Sequence, residues 1–394
     1  MLEFLQANTK AAHVCPEVRS NQTFVRPAVN QNGDRTVAIA RQIVAELCGS
    51  PGERSIAIRY WDGSMELPAD GVASCTLVLR GPQVLRRLLL RPSELAFAEA
   101  YLRNDFDIVG DMEAAVAIAF GAAQRIGSPR TLARLARLAL QLPAGPQTTA
   151  APGPARSNLL FGHAHSRGRD AAAIRRHYDV GNDFYRLWLD QRLVYSCAYF
   201  ETEAADIDTA QAAKLEHICR KLRLRPGERL LDIGCGWGGL ITYAAEHHGV
   251  EAVGITLSVE QASLTRERIA AAGLSGRCRV EVCDYRDIPD AEQFDKIASV
   301  GMVEHVGHRQ FPAYFGHAYR SLRPGGLLFT QGIVRAPVDP VAPRAWLGRR
   351  LWHEDEFIYR YVFPNGELVP LAHMIDAAEQ TGFETRDVES LREL

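Results

Sequence analysis

The sequence predicts an α/β protein: a mostly parallel, Rossmann-like sheet in the C-terminal part, preceded by a smaller α+β N-terminal domain. Three observations carry this. From about residue 166 onward, strand patterns alternate with helical ones, as parallel strands joined by helical crossovers require. One of those strands runs into a glycine-rich turn, "LLDIGCGWGG". A stretch dense in Pro, Gly, Ala and Thr, "LPAGPQTTAAPGPARSN" at 142–158, separates two regions of different pattern. The expected organisation is a domain over 1–142, a linker over 143–165 and a parallel-sheet domain over 166–394.

In chain order, "MLEFLQANTK" lacks the basic start and apolar core of a signal peptide. "SIAIRYWDGSMEL" reads as two alternating strands around Asp62 and Gly63, and "CTLVLRG" as a third strand continuing the meander. Helices are expected near 82–90, 93–103 and 112–122. In "RTLARLARLALQL" (130–142), Leu132, Leu135, Leu138 and Leu142 recur at helical spacing against Arg130, Arg134 and Arg137. This basic amphipathic helix has two readings, contact with a membrane surface or packing on its own domain.

Beyond the linker, strands are expected at "RLLDIG" (229–234), "EAVGIT" (251–256), "CRVEVCD", "FDKIASV" and "GGLLFTQGI", with helices leading away from the glycine run, over "SVEQASLTRERIAAAG" and over "FPAYFGHAYRSL". Ligands in such sheets bind beyond the carboxyl ends of the strands, so the loops after 233, 256, 283 and 300 form the candidate site.

Bulk properties narrow the partners. A chain of 394 residues that is 47% hydrophobic and 23% charged has core enough for an enzyme. A net charge of -2, with no strongly basic face and no DPPY-like segment, argues against a nucleic-acid partner. Eight cysteines without a CxxC pair support neither a disulfide framework nor a zinc site, and fit a reducing cytoplasm. The longest apolar run, "AAVAIAFGAA" at 114–123, is too short to span a bilayer, so the chain is expected to be soluble or peripheral.

The glycine run alone leaves two ligands open. Gly234, Gly236 and Gly239 satisfy the dinucleotide spacing GxGxxG, while Asp232, Gly234, Gly236 and Gly238 satisfy the DxGxGxG pattern of S-adenosylmethionine methyltransferases. A nicotinamide enzyme needs an acid for the ribose hydroxyls at the end of the next strand. Thr256 stands there instead, and Asp284, Tyr285 and Arg286 follow the third strand where an adenine edge would lie. NAD is the minority reading.

"HYDVGNDFYRLWLD", "YSCAYF", "LDIGCGWGG", "GITLSVEQ", "SVGMVEHVG" and "FPNGELVP", in this order, resemble the cyclopropane fatty acid synthase and mycolic acid cyclopropane synthase family over about 170–390. The resemblance implies a methyltransferase fold with a mostly parallel seven-stranded sheet, S-adenosylmethionine as methylene donor, unsaturated phospholipid acyl chains as acceptors, and bound bicarbonate as base. It implies peripheral association with a cytoplasmic membrane surface, with a homodimer left open. It places Tyr195, Ser196, Asp232, Gly234, Gly236, Trp237, Gly238, Thr256, Leu257, Gln261, Tyr285 and Arg286 on the cofactor. Cys197, Val300, Glu304, Gln331 and Ile333 fall around bicarbonate, with Glu304 and Cys197 as the catalytic pair. The chemistry explains the aromatic "YSCAYF" segment: an alkene is a weak nucleophile, so it needs an in-line sulfonium methyl shielded from water, and then a base to remove a proton as the ring closes.

Structural alternatives accompany these residues. Tyr195, Tyr199 and Phe200 have the composition of core aromatics, and Cys197 that of a small buried hydrophobe. Ser258 and Gln261 form a capping-box pair without any ligand. Glu304, His305 and His308 do not have the spacing of a helical metal motif, so no metal is expected. "HEDEF" at 353–357 reads as a solvated charged turn, and His247 and His248 as helix-ending cations. Two departures stand out. Gln331 occupies a position where better-known members carry histidine. Where the family continues past "DVESLREL" with a His-Tyr pair, a tryptophan and further helices, this chain ends at Leu394, so that wall of the site is expected to be shortened or supplied otherwise.

Overall fold

A computed structural model describes residues 31–125, 128–145, 163–289, 293–335 and 356–391. Most of the expected linker, the N-terminal stretch, most of the "HEDEF" turn and the chain end lie outside the described residues. The described residues form two compact units, one within Met1–Arg86 and Asp107–Ala144, the other within Arg87–Phe106 and Gly145–Leu394.

The smaller unit contains helix α1 (Gln31–Cys48), strands β1 (Ile56–Arg59), β2 (Met65–Glu66) and β3 (Cys75–Leu79), and helices α4 (Met112–Arg125) and α5 (Pro129–Gln141). Helix α2 (Pro82–Leu90) and strand β4 (Phe106–Gly110) straddle the division, and helix α3 (Glu94–Leu102) falls in the larger unit. The sheet order is β2-β1-β3-β4. The expected hairpin forms, with β1 and β2 antiparallel, but β3 does not continue a meander: it pairs parallel to β1 on the side away from β2. The reason lies in burial. Ile56, Ala57 and Ile58 of β1 are all buried, as in a central strand covered on both faces, whereas β2 is a two-residue edge.

Helix α1 was not among the expected elements, although Val37, Ala40, Ile43 and Val44 form its buried stripe. It packs against α4 and α5. Leu135, Leu138 and Ala139 of α5, with the capping Leu142, are buried, and Arg134 pairs with Glu46 of α1 at 2.6 Å. Three of the four stripe leucines of the basic helix are thus covered within its own unit, while Leu132 stays exposed.

The larger unit is built on strands β5 (Arg229–Ile233), β6 (Glu251–Thr256), β7 (Cys278–Val282), β8 (Phe294–Val300) and β9 (Leu322–Gln331) in the order β7-β6-β5-β8-β9, with every pairing parallel. This is the doubly wound order with its switch point between β5 and β8. The Rossmann-like methyltransferase fold and the smaller α+β unit are as expected, but the sheet has five strands among the described residues rather than seven.

Helices α6 (Arg167–Tyr178), α7 (Asn182–Arg186) and α8 (Ile207–Lys221) precede the sheet. Helices α9 (Gly239–His248) and α10 (Val259–Ala271) follow β5 and β6. The short α11 (Val303–Val306) and then α12 (Phe311–Ser321) follow β8, and α13 (Leu371–Gln380) packs on α12. One core cluster, with Leu231, Phe294, Ile297, Tyr314 and Phe315, fills the face under α12 and α13. Another, with Leu215, Ile218, Ile241 and Ala244, fills the face under α8 and α9. Both sheet faces are therefore sealed, and the carboxyl edge is left for a ligand.

Candidate active site

A cavity opens at the carboxyl ends of β5, β6 and β8, at the switch point. Its floor is Asp232, Ile233, Gly234 and Gly236; its sides are Thr256, Leu257, Gln261, Tyr285, Arg286 and Val300; the loop carrying Leu193 to Ser196 covers it. Gly234 and Gly236 have φ of 82° and 53°, left-handed values at which a side chain is strained, so the chain turns sharply while keeping its backbone at the cavity wall.

Aromatic rings line one side. Trp237, 1% exposed, donates its Nε1 to Asn182 Oδ1 at 2.7 Å and lies 4.6 Å from the Tyr185 ring and 6.3 Å from that of Tyr178. Tyr195 packs against His177, Tyr178, Tyr185 and Trp188. The Tyr178 hydroxyl lies 3.3 Å from His305 Nε2, and burial, helped by His177 and His165, pushes the His305 pKa down to about 4. His305 is thus neutral near pH 7 and faces the cavity as a polar, uncharged group.

At the second strand end the capping and ligand readings coexist. Ser258 Oγ accepts the Gln261 N–H at 3.1 Å and donates to Asp179 Oδ1 at 2.6 Å. The reciprocal half of a capping box is absent: Gln261 Oε1 accepts from Thr256 Oγ1 at 2.7 Å, and Thr256 Oγ1 takes the Ser258 N–H at 3.2 Å. Thr256 and Gln261 therefore hold each other at the cavity wall. Beyond β7, Arg286 grips both oxygens of Asp284 at 2.8 and 2.6 Å and reaches Asp170 Oδ2 on α6 at 3.1 Å. Burial raises Asp284, but hydrogen bonds from Arg286 win and hold it below the usual carboxylate range.

Asp232 and Lys214 both line the cavity and act on each other electrostatically. Both are almost fully buried; burial raises Asp232 to about 7 against the pull of Lys214, and lowers Lys214 to about 8 against Asp190, Cys197 and Asp232. Each charge makes the other tolerable in a poorly solvated place.

Residues 165–394 match the family model described as mycolic acid cyclopropane synthetase. The chain belongs to this family. Residues 45–128 match a domain of unknown function. A "Probable fatty acid methyltransferase" of Pseudomonas putida is 37% identical over 339 residues, covering 86% of this chain and 77% of the relative. The "Cyclopropane-fatty-acyl-phospholipid synthase" of Escherichia coli K12 is 40% identical over 205 residues, 52% of this chain and 49% of the relative. Among solved structures, mycolic acid cyclopropane synthase CmaA1 complexed with SAH and CTAB superposes with a TM-score of 0.51 at 34% identity, covering 56% of this chain and 77% of that one. The chain is an S-adenosylmethionine-dependent methyltransferase related to enzymes that modify lipids.

Within this family member, eleven of the twelve residues the sequence assigned to the cofactor line the cavity: Tyr195, Ser196, Asp232, Gly234, Gly236, Trp237, Thr256, Leu257, Gln261, Tyr285 and Arg286. Gly238 does not. Its φ of 77° lets it cap α9, and a Cβ there would lie 2.5 Å from Thr265 Cγ2, so the position is set by helix packing.

The residues assigned to bicarbonate divide. Val300 lines the cavity and pairs with Gln331 across the β8–β9 ladder. Glu304 stands one residue from the cavity-lining His305, and its Oε1 accepts the Ile333 N–H at 2.7 Å. Glu304 Oε2 and Gln331 Oε1 are buried with no partner among the described residues. Burial raises the Glu304 pKa, opposed by the Ile333 hydrogen bond. A Cβ on Gly332 would stand 3.4 Å from both Glu304 oxygens, which places the backbone of Gly332 against the carboxylate.

Cys197 is exposed, outside the cavity wall, and no hydrogen bond joins it to Glu304. The cause is local: Gln211 and Lys214 draw the loop toward α8. His308, the other histidine of the segment, pairs with Glu367 at 2.6 Å.

Sequence reading missed Lys214, Gln211, Asp170 and Tyr178. For the first two a signal existed. Gln211, Lys214, Leu215, Ile218 and Leu222 form one helical stripe, and polar residues inside an otherwise apolar stripe must have partners.

Proposed function

We propose that the chain transfers a methylene unit from S-adenosylmethionine to the cis double bond of an unsaturated fatty acyl chain of a membrane phospholipid, forming a cyclopropane ring with bicarbonate as the base. When bound, the cofactor supplies a methyl carbon made electrophilic by its sulfonium sulfur. The glycine turn, Thr256 with Gln261, and Tyr285 with Arg286 would hold it beneath the loop carrying Tyr195 and Ser196. Tyr178, Tyr195 and Trp237 offer aromatic faces, which stabilise positive charge on the acyl chain without capturing it. The same side chains keep water from competing.

The observation that carries this reading is the two buried acceptors without a partner among the described residues, Glu304 Oε2 and Gln331 Oε1. A buried carboxylate oxygen without a donor is costly, and bicarbonate brings a hydroxyl that donates to it while keeping an oxyanion to take up a proton. The Gln331 amide, turned half a rotation, gives that oxyanion a donor in place of an acceptor. Histidine in its place would add a positive charge, which Gln331 cannot.

An acyl partner also suits the segment just before the loop. Val180, Phe184, Leu187 and Trp188 are exposed, with Leu187 at 82%, an arrangement that favours a lipid surface over water. No helix among the described residues is long and apolar enough to cross a membrane. Peripheral association from the cytoplasmic side follows from this reading.

A second product is favoured by the similarity to relatives described as probable fatty acid methyltransferases, together with the uncharged Gln331. Proton loss from a neighbouring acyl carbon then leaves a methyl branch beside a new double bond, and a hydride shift followed by proton loss from the new methyl group leaves a methylene group. Mass spectrometry of lipids from a host lacking cyclopropane lipids, fed cofactor with a deuterated methyl group, separates these outcomes. Branching retains all three labels; ring and methylene products each retain two and are told apart by whether a C=C bond remains that can be hydrogenated. Cofactor binding with no lipid product would overturn both and leave a non-catalytic lipid-binding protein.

A further inference from the structure

Lys214 is one of four lysines in the chain, and it is 1% exposed. Helix α8 presents it together with Gln211 to the loop that covers the cavity. Gln211 Nε2 donates to the carbonyls of Val194 at 3.1 Å and Ser196 at 2.9 Å, and Lys214 Nζ donates to Ser196 Oγ at 2.6 Å. The Tyr199 N–H donates to the Ala210 carbonyl at 3.1 Å and fastens the far end of the same loop to α8.

The direction of the Lys214–Ser196 bond decides what Ser196 can do. An ammonium only donates, so Ser196 Oγ is the acceptor, and its own hydroxyl proton remains for another partner. Among the described residues no protein group accepts that proton, and Ser196 lines the cavity. A hydroxyl polarised by an ammonium behind it is a strengthened donor toward an anion. It is also a poor neighbour for a sulfonium. Within S-adenosylmethionine the only anionic group is the α-carboxylate of the methionine part.

We infer that Lys214 is a positioning residue for the cofactor's α-carboxylate, acting through Ser196, whose hydroxyl it turns into a one-way donor. This rests on the cofactor reading above. The arrangement explains why a buried cation is kept beside the site of a cationic ligand: it faces the ligand's negative end, and Asp190 and Asp232 balance it from the loop and from β5. The direct partners of Asp190 are the Arg192 and Val194 amides at 3.0 and 2.6 Å, so the same loop is held from both sides.

The test is calorimetric binding of S-adenosylmethionine and of its decarboxylated analogue to the full chain. Wild type is expected to prefer the carboxylate-bearing form at least tenfold. In Lys214→Met that preference should fall at least fivefold, while affinity for the decarboxylated form changes less than twofold. Ser196→Ala should lose a similar factor, and the double variant no more than the larger single loss, because the two side chains act in series. Thermal melting checks the fold of each variant, and Ser196→Ala carries the test if Lys214→Met does not fold. A preference retained in folded Lys214→Met or in Ser196→Ala, or a wild type that binds both forms equally, overturns the inference. A wild type that binds neither form overturns the cofactor reading itself.

Discussion

Lys214 and Glu304 are both charged side chains drawn out of water in the same unit, yet their surroundings differ. Lys214 has a hydroxyl at 2.6 Å and carboxylates nearby. Glu304 has one oxygen bonded to the Ile333 amide and the other buried without a partner among the described residues, as is the Oε1 of Gln331, two residues before Ile333 in the chain. Because a buried polar group is destabilising until something satisfies it, a satisfied group builds the wall and an unsatisfied one marks where a further molecule docks. The β5–α8 side of the site is thus satisfied from within, whereas the corner after β8 keeps two buried acceptors without a partner among the described residues.

The sharpest way to break this contrast is Glu304→Gln. Removing the carboxylate that would hold the base should lower turnover by about 10²- to 10⁴-fold, with cofactor affinity within a factor of about two of wild type. Single-turnover assays beside calorimetry decide it; an equal loss in binding would place Glu304 among the cofactor-holding residues instead.

Next comes Gly332→Ala. A Cβ there would lie 2.3 Å from Val303 Cγ2, and valine cannot swing aside easily, so we expect about 1–3 kcal/mol of destabilisation in urea titration. The shifted carboxylate should also cost turnover, and unchanged turnover would separate Glu304 from the chemistry.

Asp232→Asn probes the β5–α8 side. Burial raises Asp232 to about 7 from an ordinary value of 3.8, so its contribution to stability is fully present below about 3.8 and is lost as pH rises through about 7. Asparagine does not titrate. The Tm of the variant relative to wild type should therefore rise between pH 4 and pH 8; a flat difference would remove the charge pair from the account. The smallest effect is expected for Trp237→Phe, which removes the 2.7 Å bond to the half-buried Asn182. About 0.5–1.5 kcal/mol of stability should be lost in the same urea titration, with the fold intact.

The strands and helices of the larger unit from residue 229 to 331 were legible because each buried strand is a short apolar run set off by glycine, and the crossover helices carry their own caps, such as Ser258. Most of the residues lining the cavity were legible because they sit next to those strand ends in the chain, Tyr195 and Ser196 excepted. Helix α1 shows the opposite case: its stripe was present but no cap or motif drew attention to it. The parallel pairing of β3 with β1 could not be read from alternation, which reports burial and not partner.

By itself the sequence determined the doubly wound sheet, its ligand edge and most of the groups along it, because local spacing positions every residue within a turn of a strand end. Only the tertiary structure decided that Lys214 reaches Ser196 across 18 positions of chain, that Glu304 Oε2 is left without a donor among the described residues, and that Cys197 faces solvent. The physical reason is common to all three. Whether a polar atom is satisfied depends on what distant segments bring within about 3 Å of it, and no local pattern encodes that distance.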